Sequence, residues 1–114
     1  MNAVKRVNTV KSHREFDAII HHGVKVRSEH FSLYALPSEL GYTRFGLAVG
    51  KANGGAVTRV RIKRQVRAMI AKRDDYSSSL DVIIVIRPNF KETEFHENEL
   101  ELNALLDHTK EIKH

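Results

Sequence analysis

Seven cations fall between Ala56 and Arg73 (AVTRVRIKRQVRAMIAKR): Arg59, Arg61, Lys63, Arg64, Arg67, Lys72 and Arg73, with no carboxylate until Asp74. Ammonium and guanidinium groups at this density are suited to neutralising phosphates, and an arginine can grip two phosphate oxygens at once. Like charges one turn apart on a helix repel, so an acid-free helix implies a polyanion lying against it. Acid–base chemistry has weaker support. Of the seven histidines, His13, His21, His22 and His30 come early and His96 precedes Glu97. None has HExxH or another metal-ligand spacing. Surface histidines are the expectation, and neither a catalytic residue nor a metal-ligand set is assigned.

The basic stretch must be held by something. At about 100° per residue, Ile62, Val66, Met69 and Ile70 form one apolar stripe suited to packing on a sheet. Arg61, Lys63, Arg64 and Arg67 spread around the remaining circumference and must meet solvent or a ligand. Val60 lies between Arg64 and Arg67, away from the stripe, where an apolar residue is out of place.

The chain of 114 residues is expected to form one domain spanning 1–114, long enough to bury about two-thirds of its surface. It has no cysteine, which excludes disulfides and thiolate metal sites. Its formal charge of +5 conceals an asymmetry. Residues 1–91 carry 17 Lys/Arg against 7 Asp/Glu, whereas residues 92–114 carry 2 against 7. A strongly basic body with an acidic tail points to nucleic acid or an anionic membrane. The basic helix has no Trp or Phe, which argues against a membrane-lying helix. The N-terminal MNAVKRVNTVKSHREF has no apolar core, and no stretch approaches the roughly 18 apolar residues of a membrane span. A cytoplasmic protein without membrane partners is expected.

Residues 1–11 are polar, basic and expected to be irregular. Ser12 to Glu15 fits a capping box. Phe16, Ile19 and Ile20 then mark a short helix that Gly23 stops. Val24 to Leu36 reads as extended, with Phe31, Leu33 and Ala35 alternating against Ser32, Tyr34 and Leu36. A second strand spans Arg44 to Val49, with Phe45, Leu47 and Val49 on one face. The Lys51–Gly55 loop then turns into the basic helix. Asp74 to Ser79 reads as a polar linker, and Val82 to Ile86 as a central strand buried on both faces. Thr93 is expected to cap a last helix whose Phe95, Leu102 and Leu106 share a side, with Leu105 beside them. The order α-β-β-α-β-α suggests a two-layer α/β sandwich with one small sheet.

Ala56-Val57-Thr58-Arg59-Val60-Arg61-Ile62-Lys63-Arg64, after a Lys-and-Gly loop, resembles the signature helix of the bacterial ribonuclease P protein subunit, approximately AVxRNRxKRxxR. Glu15-Phe16, His22-Gly23, Phe31 to Leu36, Gly46 to Val49 and Asp81 to Arg87 follow in the family's order, so the resemblance covers nearly the whole chain. It implies a partnership with a large catalytic RNA that removes the 5′ leader of precursor tRNA. The RNA holds the catalytic metals, with Mg2+ at the RNA–protein complex. The positions matching the RNA-binding helix are Arg59, Arg61, Lys63, Arg64 and Arg67. Those matching the cleft that contacts the leader, between the first helix and the sheet, are Phe16, Tyr34 and Lys51. The family also implies a mixed sheet with a left-handed βαβ crossover, against the usual hand, as in a ribosomal protein domain of the same fold.

Two positions depart from the pattern: the family's Asn is Val60 here, and the second Lys of its loop is Ala52. Valine neither donates nor accepts a hydrogen bond, so Val60 is expected to weaken contact with RNA or to interrupt a polar network among the arginines. Phe16 shares a face with Ile19 and Ile20, so core packing and base stacking both fit it. Tyr34 alternates opposite to Phe31 and Leu33, which puts it on the accessible face. About six neutralised phosphates would give a log–log salt slope of roughly −4 to −5. The acidic segment 92–114 is expected either to solvate the outer side of the last helix and steer RNA away or to contact a partner protein. A structural RNA-binding protein of ribosomal type fits the charge and size equally well.

Overall fold

Alternating apolar residues build the sheet, and their partners across it set the two faces. The computed structural model describes residues 9–10, 12–73 and 79–111. Its elements are α1 (His13–His22), β1 (Val24–Arg27), β2 (Phe31–Pro37), β3 (Arg44–Val49), a 3-10 turn (Lys51–Asn53), α2 (Ala56–Ala71), β4 (Leu80–Ile86) and α3 (Phe95–Thr109). The strands lie in the order β1-β2-β4-β3. β2 is antiparallel to both β1 and β4, and β3 is parallel to β4. A parallel pair needs a long crossover, and α2 supplies it.

The α/β class matches the expectation, with one strand more. The run from Val24 to Leu36 is a hairpin, because Ser28-Glu29-His30 turns the chain and the Ser28 N–H donates to the Phe31 carbonyl at 2.9 Å. β4 is central and buried on both faces, as its β-branched run requires. Phe31, Leu33, Ala35, Phe45, Val82, Ile84 and Ile86 face α2 and α3 and form the main core with Ile62, Val66, Met69, Ile70, Leu102 and Leu106. Each such side chain contributes about 1.5–3 kcal/mol when fully buried. The sheet and these two helices make the sandwich. α1 crosses the opposite face, where Ile19 packs on Ile83 with Phe16, Ile20 and Tyr34 around them.

Local signals act where the chemistry allows. The Ser12 hydroxyl accepts from the Glu15 N–H at 3.1 Å, giving the first half of the capping box. The Glu15 carboxylate accepts from the Ser12 hydroxyl at 3.3 Å and meets Arg44 at 2.9 Å with its other oxygen. Gly23 ends α1 in an extended conformation, and its role is space: a Cβ there would lie 2.5 Å from the Ile19 carbonyl oxygen. Thr93 does not cap α3. Glu94 holds the cap position without a side-chain bond, and the buried Asn98 fastens the preceding loop by donating to the Lys91 carbonyl at 2.8 Å. The expected polar linker lies mostly outside the described residues, as does most of the N-terminal segment. Val10, however, donates to the Phe45 carbonyl at 3.0 Å, so residues 9–10 run along the β3 edge. Among the described residues, no helix is long and apolar enough to cross a membrane.

Candidate nucleic-acid interface

The circumference of α2 divides into three parts. Its buried residues are Ile62, Val66, Met69 and Ile70, the stripe expected from the sequence. A second flank is paired with the acidic segment. Arg61 meets Glu92 through Nε at 2.9 Å, Lys72 meets Glu99 at 3.0 Å, and Arg73 meets Asp107 at 2.6 Å and Asn103 at 3.0 Å. The acidic segment therefore does more than solvate the outside of α3: it supplies part of the negative charge that α2 lacks. Hydrogen bonding to Arg61 holds the Glu92 carboxyl below its usual range, and Arg61 is correspondingly raised.

The third part carries Arg59, Lys63, Arg64 and Arg67. Among the described residues, none of these has a carboxylate at ion-pair distance. Arg59 buries its Nε without a partner. Thus, among the described residues, four of the five positions expected to bind RNA have no carboxylate partner, while Arg61 has one. Val60 is 54% exposed and Val57 70% exposed. With Ala56, Arg61 and Arg64 they line an open apolar shelf. Ala52 is exposed in the 3-10 turn beside Lys51.

Of the three expected leader-binding positions, Phe16 and Tyr34 lie on the α1 face. Phe16 packs beside Ile19 and Ile83, and it also lines an open groove with Val10, Gly46, Leu47 and Arg67. Gly46 makes this possible, because a Cβ there would lie 2.7 Å from Ile83 Cδ1 and 3.0 Å from the Phe16 ring. Tyr34 is half-buried on the same face, with the Lys25 ammonium 5.4 Å from its ring centroid. Lys51 is exposed after β3, at the end of the sheet remote from Arg44.

Two polar clusters join residues too far apart in sequence to be foreseen. Arg44 donates to Asp81 through two nitrogens at 2.7 and 2.9 Å and meets Glu15 with a third, which ties α1 to β3 and β4. The Asp81 hydrogen bonds outweigh burial and raise the Arg44 guanidinium further. In the β1–β2 turn, the His30 Nδ1 lies 2.6 Å from Glu101, the His30 N–H donates to the same carboxylate at 2.8 Å, and the Ser28 hydroxyl also bonds to it. Ser28 bonds the carboxylate rather than the imidazole, so this is a clasp on α3 and not a nucleophile–base pair. His13, His21, His22 and His96 are exposed. Among the described residues, no three His, Asp or Glu converge to hold a metal, so the expected Mg2+ finds no ligand set within this part of the chain.

A four-stranded sheet backed by a basic crossover helix, four of whose cations have no carboxylate partner among the described residues, defines an α/β module suited to binding a polyanion. The Ribonuclease P family model matches residues 4–110. A ribonuclease P protein component from Mesoplasma florum is 36% identical over 105 residues, covering 90% of this chain and 96% of the relative. The RNase P protein of Staphylococcus aureus superposes with a TM-score of 0.82 at 26% identity, over 90% of this chain and 95% of that one. The Thermotoga maritima protein, at 23% identity and a TM-score of 0.77, shares the fold over 93% of this chain and 98% of its own. The chain belongs to the ribonuclease P protein family and is a protein component of that ribonucleoprotein enzyme.

Proposed function

We propose that α2 binds the catalytic RNA of ribonuclease P, that the α1 face of the sheet receives the 5′ leader of precursor tRNA, and that the RNA performs the cleavage. The observation that carries this reading is the set of four cations, Arg59, Lys63, Arg64 and Arg67, without carboxylate partners among the described residues. Contacts to phosphate position a nucleic acid without specifying it, so the shape of the folded RNA selects the partner. Arg61 is held by Glu92 and would join them only on release from that carboxylate. Phe16 and Tyr34 offer aromatic surface to unpaired leader bases, each contact contributing about 1–3 kcal/mol. Mg2+ belongs to the RNA complex, and the chain acts in the cytoplasm, where tRNA is matured in bacteria.

Reconstitution tests this. Added to the catalytic RNA at low magnesium, the protein should restore cleavage of precursor tRNA, whereas the protein alone should cleave at no magnesium concentration. A structural RNA-binding protein would restore nothing. Charge reversal of Arg64 and Arg67 together should abolish binding to the catalytic RNA; a doubly reversed protein that bound as before would overturn the assignment of α2.

A further inference from the structure

The α1 face of the sheet carries a row of short side chains that no element described above explains. Register places Ala48, Val85, Ser32 and Arg27 side by side across all four strands, at the end remote from Arg44. Ala48, Val85 and Ser32 are short; Ser32 is buried, and Ala48 and Val85 are half-buried on this face. Tyr34 stands in the adjoining row, paired with Lys25, whose ammonium lies over the ring. Lys51 is exposed past the β3 edge at the same end. The row therefore has a cation beyond β3, Lys51, and two more, Lys25 and Arg27, on β1.

We propose that Lys25 and Arg27 form a second phosphate rail for the precursor leader, so that the leader crosses the sheet from Lys51 over the small-residue row and leaves along β1. This rests on the reading of the α1 face as the leader site.

Both β1 cations are exposed, and among the described residues neither has a carboxylate at ion-pair distance. The one carboxylate that the strands place on this face is Asp81, at the opposite end, where Arg44 holds it. Glu29, in the β1–β2 turn, leans toward His30 at 3.9 Å. Three strand spacings of about 4.8 Å make the crossing roughly 14 Å, enough for a few nucleotides. Alternate residues of a strand rise by about 6.8 Å, which suits successive phosphates of a stretched single strand. Lys25, displaced from the Tyr34 ring by an incoming base, would then hold the phosphate of that nucleotide.

The reconstituted holoenzyme tests the rail with two precursors, one whose leader is long enough to cross the sheet and one with a single leader nucleotide. Wild-type enzyme should bind the long-leader precursor more tightly. K25Q/R27Q should lose about tenfold in affinity for that precursor, with a log–log salt slope shallower by about 1.4, the loss of two single-strand phosphate contacts. Its affinities for the single-nucleotide precursor and for the catalytic RNA should not change, and Lys25→Arg with Arg27→Lys should restore long-leader binding. If wild type distinguishes the leaders and K25Q/R27Q does so equally well, the rail is wrong while the leader site stands. If wild type does not distinguish them, the leader reading fails and the rail with it. If the double variant melts early, K25Q and R27Q are measured singly, and two singles that both bind as wild type overturn the proposal.

Discussion

Val60 stands more than half exposed on a helix whose other outward residues are largely charged, with Val57 beside it and Arg64 one turn on. Because no neighbouring side chain covers it, a polar group here would be free to meet RNA. Val60→Asn is expected to tighten binding of the catalytic RNA by about 1 kcal/mol, one net hydrogen bond. Filter binding at fixed salt measures it, and an unchanged or weaker affinity would count against the idea. This misfit was legible in the sequence because helical spacing alone separates Val60 from Ile62 and Val66. The sequence left both places open for Phe16, but not the reason both are possible, which is Gly46 leaving room for the ring from a different element. Residue type gave Lys25 no more weight than any other exposed lysine until the hairpin set it over Tyr34.

At the scale of elements, α2 and the acidic segment meet along a line of ion pairs, and Arg61 is the expected RNA-binding position caught in it. Glu92→Gln releases that guanidinium. RNA affinity should rise about threefold and the log–log salt slope should steepen by about 0.9, one further phosphate neutralised; equal slopes would show that Arg61 never reaches RNA. The Glu101 clasp fastens the β1–β2 turn to α3. Burial pushes the Glu101 carboxyl up, but bonds from the Ser28 hydroxyl and from His30 outweigh it, and the group sits below the usual carboxylate range. A depressed carboxylate contributes stability that is present above its unfolded value and lost as pH falls through the folded one. Urea midpoints should therefore drop in the acid range below pH 4.5, and Glu101→Gln should flatten part of that limb. The hairpin itself left a trace that the extended reading passed over. Apolar positions run on even numbers at Val24 and Val26 and on odd numbers from Phe31, and a strand cannot change parity without a break. The clasp and the Arg44 cluster left none, because their members are remote in sequence and gathered only by packing.

Across the whole molecule, charge is segregated and then partly reunited by folding. Sequence arithmetic suggested about six phosphates; the structure leaves four helix cations unpaired among the described residues. The log–log slope for the catalytic RNA alone should accordingly be roughly −3 to −4, measured by titration across monovalent salt, and a slope near zero would exclude an electrostatic interface. The architecture was legible because each apolar pattern pointed to a face that needed covering, whereas which acids would meet which bases depended on how the helices lay. Arg44, shared between Glu15 on the lid-like α1 and Asp81 in the sheet's middle strand, has a consequence for how a guest is received. On the proposed reading of the α1 face as the leader site, Arg44, 12% exposed, fixes how α1 sits on the sheet, so an arriving strand would find its seat already made. The ordering cost would then be met when the chain folds rather than at each encounter, and turnover could repeat without the protein rebuilding its half of the grip.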